Sequence, residues 1–116
     1  MRMRDCLFCK IAAGQIPSRK SYEDEDVLAF YDIDPQAPVH VLVIPKKHID
    51  SVDALTADDA ALLNKMFAAV RAVAKELGLS EHGYRVVSNV GVFGQQSVKH
   101  LHLHVLGGRQ MEWPPG

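Results

Sequence analysis

Long apolar runs are absent from this chain, and nothing in it approaches the roughly 20 residues a membrane-spanning helix needs. The opening MRMRDCLFCK has arginines but no uninterrupted apolar segment, which makes it a poor secretory signal, so the expected location is the cytoplasm. Basic runs are missing too. Thirteen Lys and Arg against 14 Asp and Glu leave a formal charge of −1, so neither a nucleic-acid backbone nor a membrane surface is an expected partner. Cysteine is scarce. With two residues, Cys6 and Cys9, a disulfide framework is excluded, and in a reducing compartment both are expected as thiols or metal ligands. No repeat, linker or low-complexity tract interrupts the 116 residues, a length that suits one domain over 1–116 with a substantial core.

Histidine is what the chain has in a pattern. In KHLHLHVLGG at 99–108, His100, His102 and His104 alternate with Leu101, Leu103 and Val105. A period of two reads as a strand, with the three imidazoles on one face and the aliphatic side chains on the other. A half-exposed strand with a histidine face is the plain reading. One metal held by all three rings is disfavoured, because His100 and His104 would lie roughly 13 Å apart along a straight strand. Neighbours two apart can share an ion. The remaining reading is a row of rings with different tasks.

The other elements follow from punctuation. CLFCKIAAG reads as a short helix closed by Gly14, and KSYED and VLAFYDI as strands joined by an acidic turn. DPQAP is a loop, VHVLVIP a strand ended by Pro45, and KKHIDSVDAL a connector carrying His48. Thr56 with Asp59 predicts the start of one long helix, Leu63, Phe67, Val70, Ala74 and Leu77 its apolar stripe, and Gly78 its end. GYRVVSNV is another strand, GVFGQQS a glycine-containing loop, and GGRQMEWPPG an irregular tail. About five strands and a single long helix predict an α+β domain with a mainly antiparallel sheet, one long and one short helix. Repeated helical crossovers, which a doubly wound sheet needs, are lacking.

Three constellations carry chemistry. Cys6 and Cys9 form a CxxC, half of a zinc site, and His48 and His100 are candidate partners; two buried, unliganded thiols are the other reading. The loop before the histidines brings Asn89, Gln96 and Ser97 with glycine-flanked amides, groups that suit an anionic phosphate oxygen, although an ordinary hairpin loop fits as well. It is not a P-loop, since GxxxxGK[ST] is missing. Asp32 in FYDID sits at a strand end among Leu28, Phe30 and Ile33, where a carboxylate can take two hydrogen bonds from a ribose diol or simply cap the strand at the surface.

HLHLHVL at 100–106, a His-φ-His-φ-His-φ-φ pattern preceded by GQQSVKH, resembles the histidine-triad superfamily. So do LFCKIAAGQIPS, YEDEDVLAFYDIDPQAPVHVLVIPKKHI, LGL and GYRVVSN, so that the likeness spans nearly the whole chain. The ending HVLGGRQMEWPPG is similar to the Hint branch, the purine nucleoside phosphoramidases, rather than to the dinucleoside-polyphosphate hydrolases. The resemblance implies a homodimer and a pocket for a purine nucleoside monophosphate or phosphoramidate. It implies His102 as nucleophile on the α-phosphorus, with His104 and Ser97 holding the phosphate and Asn89, Gln95 and Gln96 nearby. It implies Asp32 as ribose acceptor, Leu7, Phe8, Ile11, Phe30 and Ile33 around the purine, and Trp113 on the leaving-group side. It further implies a structural zinc on Cys6, Cys9, His48 and His100, and no catalytic metal. Gln95 stands where many members of the branch have a second glycine. Two other activities remain in view: hydrolysis or transfer on nucleotide phosphoanhydrides, and a nucleotide- or partner-binding module with little turnover.

Overall fold

The computed structural model describes residues 5–116. In chain order the elements are α1 (Leu7–Ala12), β1 (Lys20–Glu23), β2 (Val27–Tyr31), β3 (Val39–Pro45), α2 (Ala60–Glu76), β4 (Arg85–Val87) and β5 (Leu103–Gly107). The Cys6 side chain caps α1 by accepting the Cys9 N–H, and Gly14, at φ 77°, turns the chain out of it. Asp24 shapes the turn between β1 and β2, its Oδ1 accepting the N–H groups of Asp26 and Val27 at 2.8 Å each. Thr56 and Asp59 close a reciprocal capping box around a 3₁₀ turn, Ala57–Asp59, and α2 follows directly. Gly78 ends it at φ 73°.

The strands form one five-stranded sheet in the order β1-β2-β3-β5-β4, with every neighbouring pair antiparallel. The α+β reading therefore holds. Both faces of the sheet are covered, and the strands divide their side chains strictly by parity. Val27, Ala29, Val41 and Val43, with Leu101, Leu103 and Val105, join Met66, Ala69, Val70, Val73 and Ala74 of α2 in one apolar layer. Leu28, Phe30, Leu42 and Ile44 face the opposite side and pack on Cys6, Phe8 and Ile11 around α1. This explains why β2 and β3 read as continuous apolar runs although the sheet is antiparallel.

Three expectations need correction. The histidine strand is shorter than its alternation: β5 begins at Leu103, and His100 and His102 precede it. That segment pairs with the connector after β3 instead. The Leu101 N–H donates to the Ile49 carbonyl at 2.6 Å, and a His100 ring nitrogen to that of Pro45 at 2.8 Å. The stripe of α2 is also rotated. Met66, Ala69, Val70, Val73 and Ala74 are its buried residues, whereas Phe67 is 41% exposed. Small alanines let α2 approach the sheet closely, so the buried line follows them rather than the bulkiest side chains. The strand expected across 83–90 is limited to Arg85–Val87.

Met66 is fully buried. Met66→Ala is expected to cost about 2–5 kcal/mol, whereas Arg71→Ala, on the exposed face, should stay within about 0.5 kcal/mol. Urea unfolding of the two variants measures both, and equal losses would mean that the face is misassigned.

Candidate active site and metal centre

The histidine row faces α1. Phe8 lies edge-on to His102, with ring centroids 5.1 Å apart, and to His100 at 6.0 Å. His102 and His104 follow at 5.0 Å. His100 is fully buried and His102 only 3% exposed, so each ring nitrogen needs a partner or a task.

The hydrogen bonds fix the tautomers. His102 Nδ1 lies 2.7 Å from the His100 carbonyl oxygen. A carbonyl only accepts, so Nδ1 carries the proton and Nε2 keeps a lone pair. His104 is set the other way. The Gln36 N–H donates to His40 Nδ1 at 3.0 Å, so the His40 proton is on Nε2. That Nε2–H points to His104 Nδ1, 2.8 Å away, and lies 3.5 Å from Asp32 Oδ2. His104 must then be protonated on Nε2, a buried atom with no protein partner. One neutral ring thus offers an electron pair and its neighbour an N–H. Burial keeps both neutral. It lowers the His102 pKa below the ordinary histidine value and, together with the neighbouring His102 and His40, brings His104 down to about 4. His40 is lowered as well, by burial.

These rings open on a cavity of about 240 Å³ lined by Leu7, Phe8, Ile11, Phe30, Tyr31, Asp32, Ile33, Leu42, Ser97, Val98, His102 and His104. Nine of the expected residues therefore meet in one place. Larger clefts occur, such as one of about 340 Å³ near His82 and Arg109, but they lack the paired imidazoles. Asp32 Oδ1 accepts the Asp34 N–H at 2.8 Å. Tyr31, Leu42 and Val98 are lining residues the sequence reading did not name. Its main omission is His40, 64 residues from His104; the available signal was a lone polar residue in the apolar run of VHVLVIP.

Four expected residues do not line the cavity. The Gln96 side chain staples its own loop: its Nε2 donates to the carbonyls of Asp50 and Val98, and its Oε1 accepts the Gly91 N–H. Gln95 takes φ 62°, the left-handed backbone that a glycine adopts without strain, and its N–H is engaged with the Val92 carbonyl. Asn89 is half-buried two residues beyond Val87, the partner of His104 in the sheet. Trp113 is 81% exposed and lies over Arg85, its ring 6.0 Å from the guanidinium.

Cys6, Cys9, His48 and His100 converge beside this cavity, their ligand atoms all within 4.8 Å of one another. His100 Nδ1 is 3.3 Å from Cys6 Sγ and 3.5 Å from Cys9 Sγ, and His48 Nδ1 is 3.2 Å from Cys9 Sγ. Both rings are oriented from behind. His100 Nε2 faces the Pro45 carbonyl and His48 Nε2 faces Asp50 Oδ1, each at 2.8 Å, so both Nδ1 atoms present lone pairs to the sulfurs. Burial, with the adjacent Cys6, pushes the Cys9 thiol up to about 11, and burial brings His100 down to about 4. The cluster could hold a metal ion. A second grouping, Asp32, His40 and His104, is also tight. There the 2.8 Å contact between imidazole nitrogens is a hydrogen bond, and no shared lone-pair cavity is left for an ion.

Comparison with known proteins agrees with this geometry. A family profile described as "Scavenger mRNA decapping enzyme C-term binding" matches residues 5–113. An uncharacterized HIT-like protein of Synechococcus elongatus is 51% identical over 112 residues, covering 97% of both chains. The crystal structure of a HIT family hydrolase from Legionella pneumophila superposes with a TM-score of 0.94 at 55% identity, over 96% of this chain and 99% of that one. A histidine triad nucleotide-binding protein from Candida albicans gives a TM-score of 0.80 at 36% identity, over 94% and 82%. The chain belongs to the histidine-triad superfamily.

The tautomer chain makes a pH prediction. A histidine held near 4 stays neutral as pH falls through 6.5 and gains its proton only well below that. The ring NMR signals of His104 should therefore stay unchanged from pH 8 to 5.5. A midpoint near 6.5 for that ring would break the assignment. Because the unfolded chain protonates first, fold stability should decline as pH drops from about 6.5 toward 4.

Proposed function

We propose that the protein is a nucleotide-binding hydrolase that cleaves the P–N bond of purine nucleoside phosphoramidates, giving a nucleoside monophosphate and an amine. The observation that carries this reading is the opposed pair of neutral imidazoles in one pocket, an Nε2 lone pair on His102 beside an Nε2–H on His104. The names of the solved relatives, a hydrolase and a nucleotide-binding protein, support the class.

In this mechanism the His102 lone pair attacks the α-phosphorus as the P–N bond breaks. The amine takes up a proton from solvent and leaves, a nucleotidyl group remains on Nε2, and the water of the second step gives a proton back to solvent. Water then displaces the histidine and releases the monophosphate. Negative charge grows on the phosphoryl oxygens at each step, and in this reading the His104 Nε2–H and the Ser97 hydroxyl donate to it. The purine lies against Leu7, Phe8, Ile11, Phe30 and Ile33, and the Asp32 carboxylate takes the ribose diol. Asn89, Gln95 and Gln96 act through the loop that carries Ser97.

The metal centre suits zinc. A tetrahedral Zn²⁺ with Zn–S of about 2.3 Å and Zn–N of about 2.0–2.1 Å sets sulfur and nitrogen roughly 3.5 Å apart, close to the 3.2–3.5 Å found here. Cys6, Cys9, His48 and His100 would hold it. Bound there, zinc contributes to folding, and it takes no part in the reaction.

A homodimer completes the reading. β4 is an edge strand whose outer backbone is unpaired, and Trp113 sits against it over Arg85 rather than in its own chain's pocket. Joined edge to edge at β4, two copies would bring the tail to the leaving-group side of the neighbouring site. The family profile, named for a decapping enzyme, favours one alternative, cleavage of a phosphoanhydride. Comparing turnover of adenosine 5′-phosphoramidate with that of a dinucleoside polyphosphate separates the two.

His102→Ala should bind AMP within about tenfold of wild type, or about 1.4 kcal/mol. Its kcat should fall on the order of 10³-fold or more, as nucleophile deletions do. Rapid quench of wild type should trap an acid-labile nucleotidyl adduct on His102; a variant retaining a tenth of the rate moves the assignment to His104. Asp32→Ala should weaken AMP by roughly 1.5–3 kcal/mol and leave a dideoxy analogue nearly unaffected. Equal losses for both ligands would assign Asp32 to the fold.

A further inference from the structure

The metal cluster and the cavity share their walls. Cys6 caps α1 and Cys9 lies in its first turn, and the same helix contributes Leu7, Phe8 and Ile11 to the cavity. His100 contributes a ring nitrogen to the cluster, while its carbonyl holds the Nδ1–H of His102. Phe8 lies edge-on to both His100 and His102, and to Phe30 with centroids 5.5 Å apart. At six residues α1 is too short to hold its own shape; isolated helices below about 12–15 residues are marginal in water. Its position therefore depends on Phe8, Ile11 and whatever ties its two cysteines to His48 and His100.

We propose that the Cys6–Cys9–His48–His100 cluster positions the nucleotide pocket: by clamping α1 to the segment before β5, it sets Phe8 and the His100 carbonyl against His102, so that metal occupancy and nucleotide affinity are linked. This rests on the nucleotide reading above. The residues of the cluster are positioning residues, since they act on the ligand through Phe8 and His102. With only thiols and imidazoles in contact, the clamp consists of weak sulfur hydrogen bonds. With a cation drawing both sulfurs and both Nδ1 atoms to one centre, the helix and the His100 backbone lose their freedom together. Linkage is reciprocal, so a nucleotide that selects the clamped arrangement must tighten the metal by the same factor.

The test uses the full chain, zinc-loaded and stripped with a chelator, with the stripped form checked for native dispersion in its ¹H–¹⁵N spectrum. AMP should bind the stripped form on the order of tenfold more weakly, inside the roughly 5- to 150-fold range of ordinary coupling. In chelator competition, saturating AMP should tighten Zn²⁺ by the same factor. Equal AMP affinity in the two folded forms overturns the linkage and leaves the nucleotide reading standing. Failure of the zinc-loaded protein to bind AMP overturns both. If the stripped form unfolds, the cobalt-substituted protein decides, because AMP should shift the absorption bands of thiolate-bound Co²⁺; unchanged bands at saturation overturn the proposal. Phe8→Leu should keep one metal per chain and lower the coupling factor toward one, and full coupling in that variant removes Phe8 from the path.

Discussion

The 2.7 Å bond from His102 Nδ1–H to the His100 carbonyl joins the two chemistries of this molecule. It sets which nitrogen of His102 is free, and it does so with a backbone group whose own side chain faces two cysteines. The segment that supplies this carbonyl departs from the β3–β5 ladder, which begins at Leu103. Pairing of Leu101 with Ile49 provides that departure and draws the connector carrying His48 alongside. The break in the strand, the metal cluster and the orientation of the nucleophile are thus one arrangement.

Buried imidazoles impose the second constraint. Four histidines, at 40, 100, 102 and 104, lie on the α1 side of the sheet in little water, where desolvation favours their neutral forms. A neutral ring has one donor and one acceptor, so each partner dictates the other end of the ring. The amide of Gln36 begins such a series, which passes through His40 and ends on His104 Nε2. A single backbone N–H thereby decides what a side chain on another strand presents to the cavity.

Period-two alternation made the face assignment of the histidines legible, and the CxxC with two histidines made the metal cluster legible. Both are local patterns, or sets of residue types whose chemistry restricts their partners. His40 was not legible in the same way, since its role depends on register: it pairs with Leu106, two residues along from the pairing of Leu42 with His104. Nor was the staple made by Gln96, which ties its own loop at Gly91 and Val98 to Asp50, 46 residues away. The rotation of α2 escaped because hydrophobicity was read without size. Met66, Ala69 and Val73 fit the groove over the sheet, and Phe67 does not. The end of β5 at Leu103 was hidden because extended chain keeps its alternation whether or not it is paired.

The strand order β1-β2-β3-β5-β4 places the last strand of the chain inside the sheet, between β3 and β4. β1, β2 and β3 can assemble as a meander from neighbouring sequence, but β3 then shows a bare edge until a segment some 64 residues away arrives, as the His40–His104 separation shows. β4 has no partner in the sheet before that moment, since it is bonded to β5 alone. Contacts of this span are slow to form because the loop they close is costly in entropy. Every half-assembled chain therefore carries an exposed, strongly apolar strand edge, the kind that templates pairing with other chains. The strand that seals this edge ends the histidine row, so protection from aggregation and completion of the reactive centre come in a single late event.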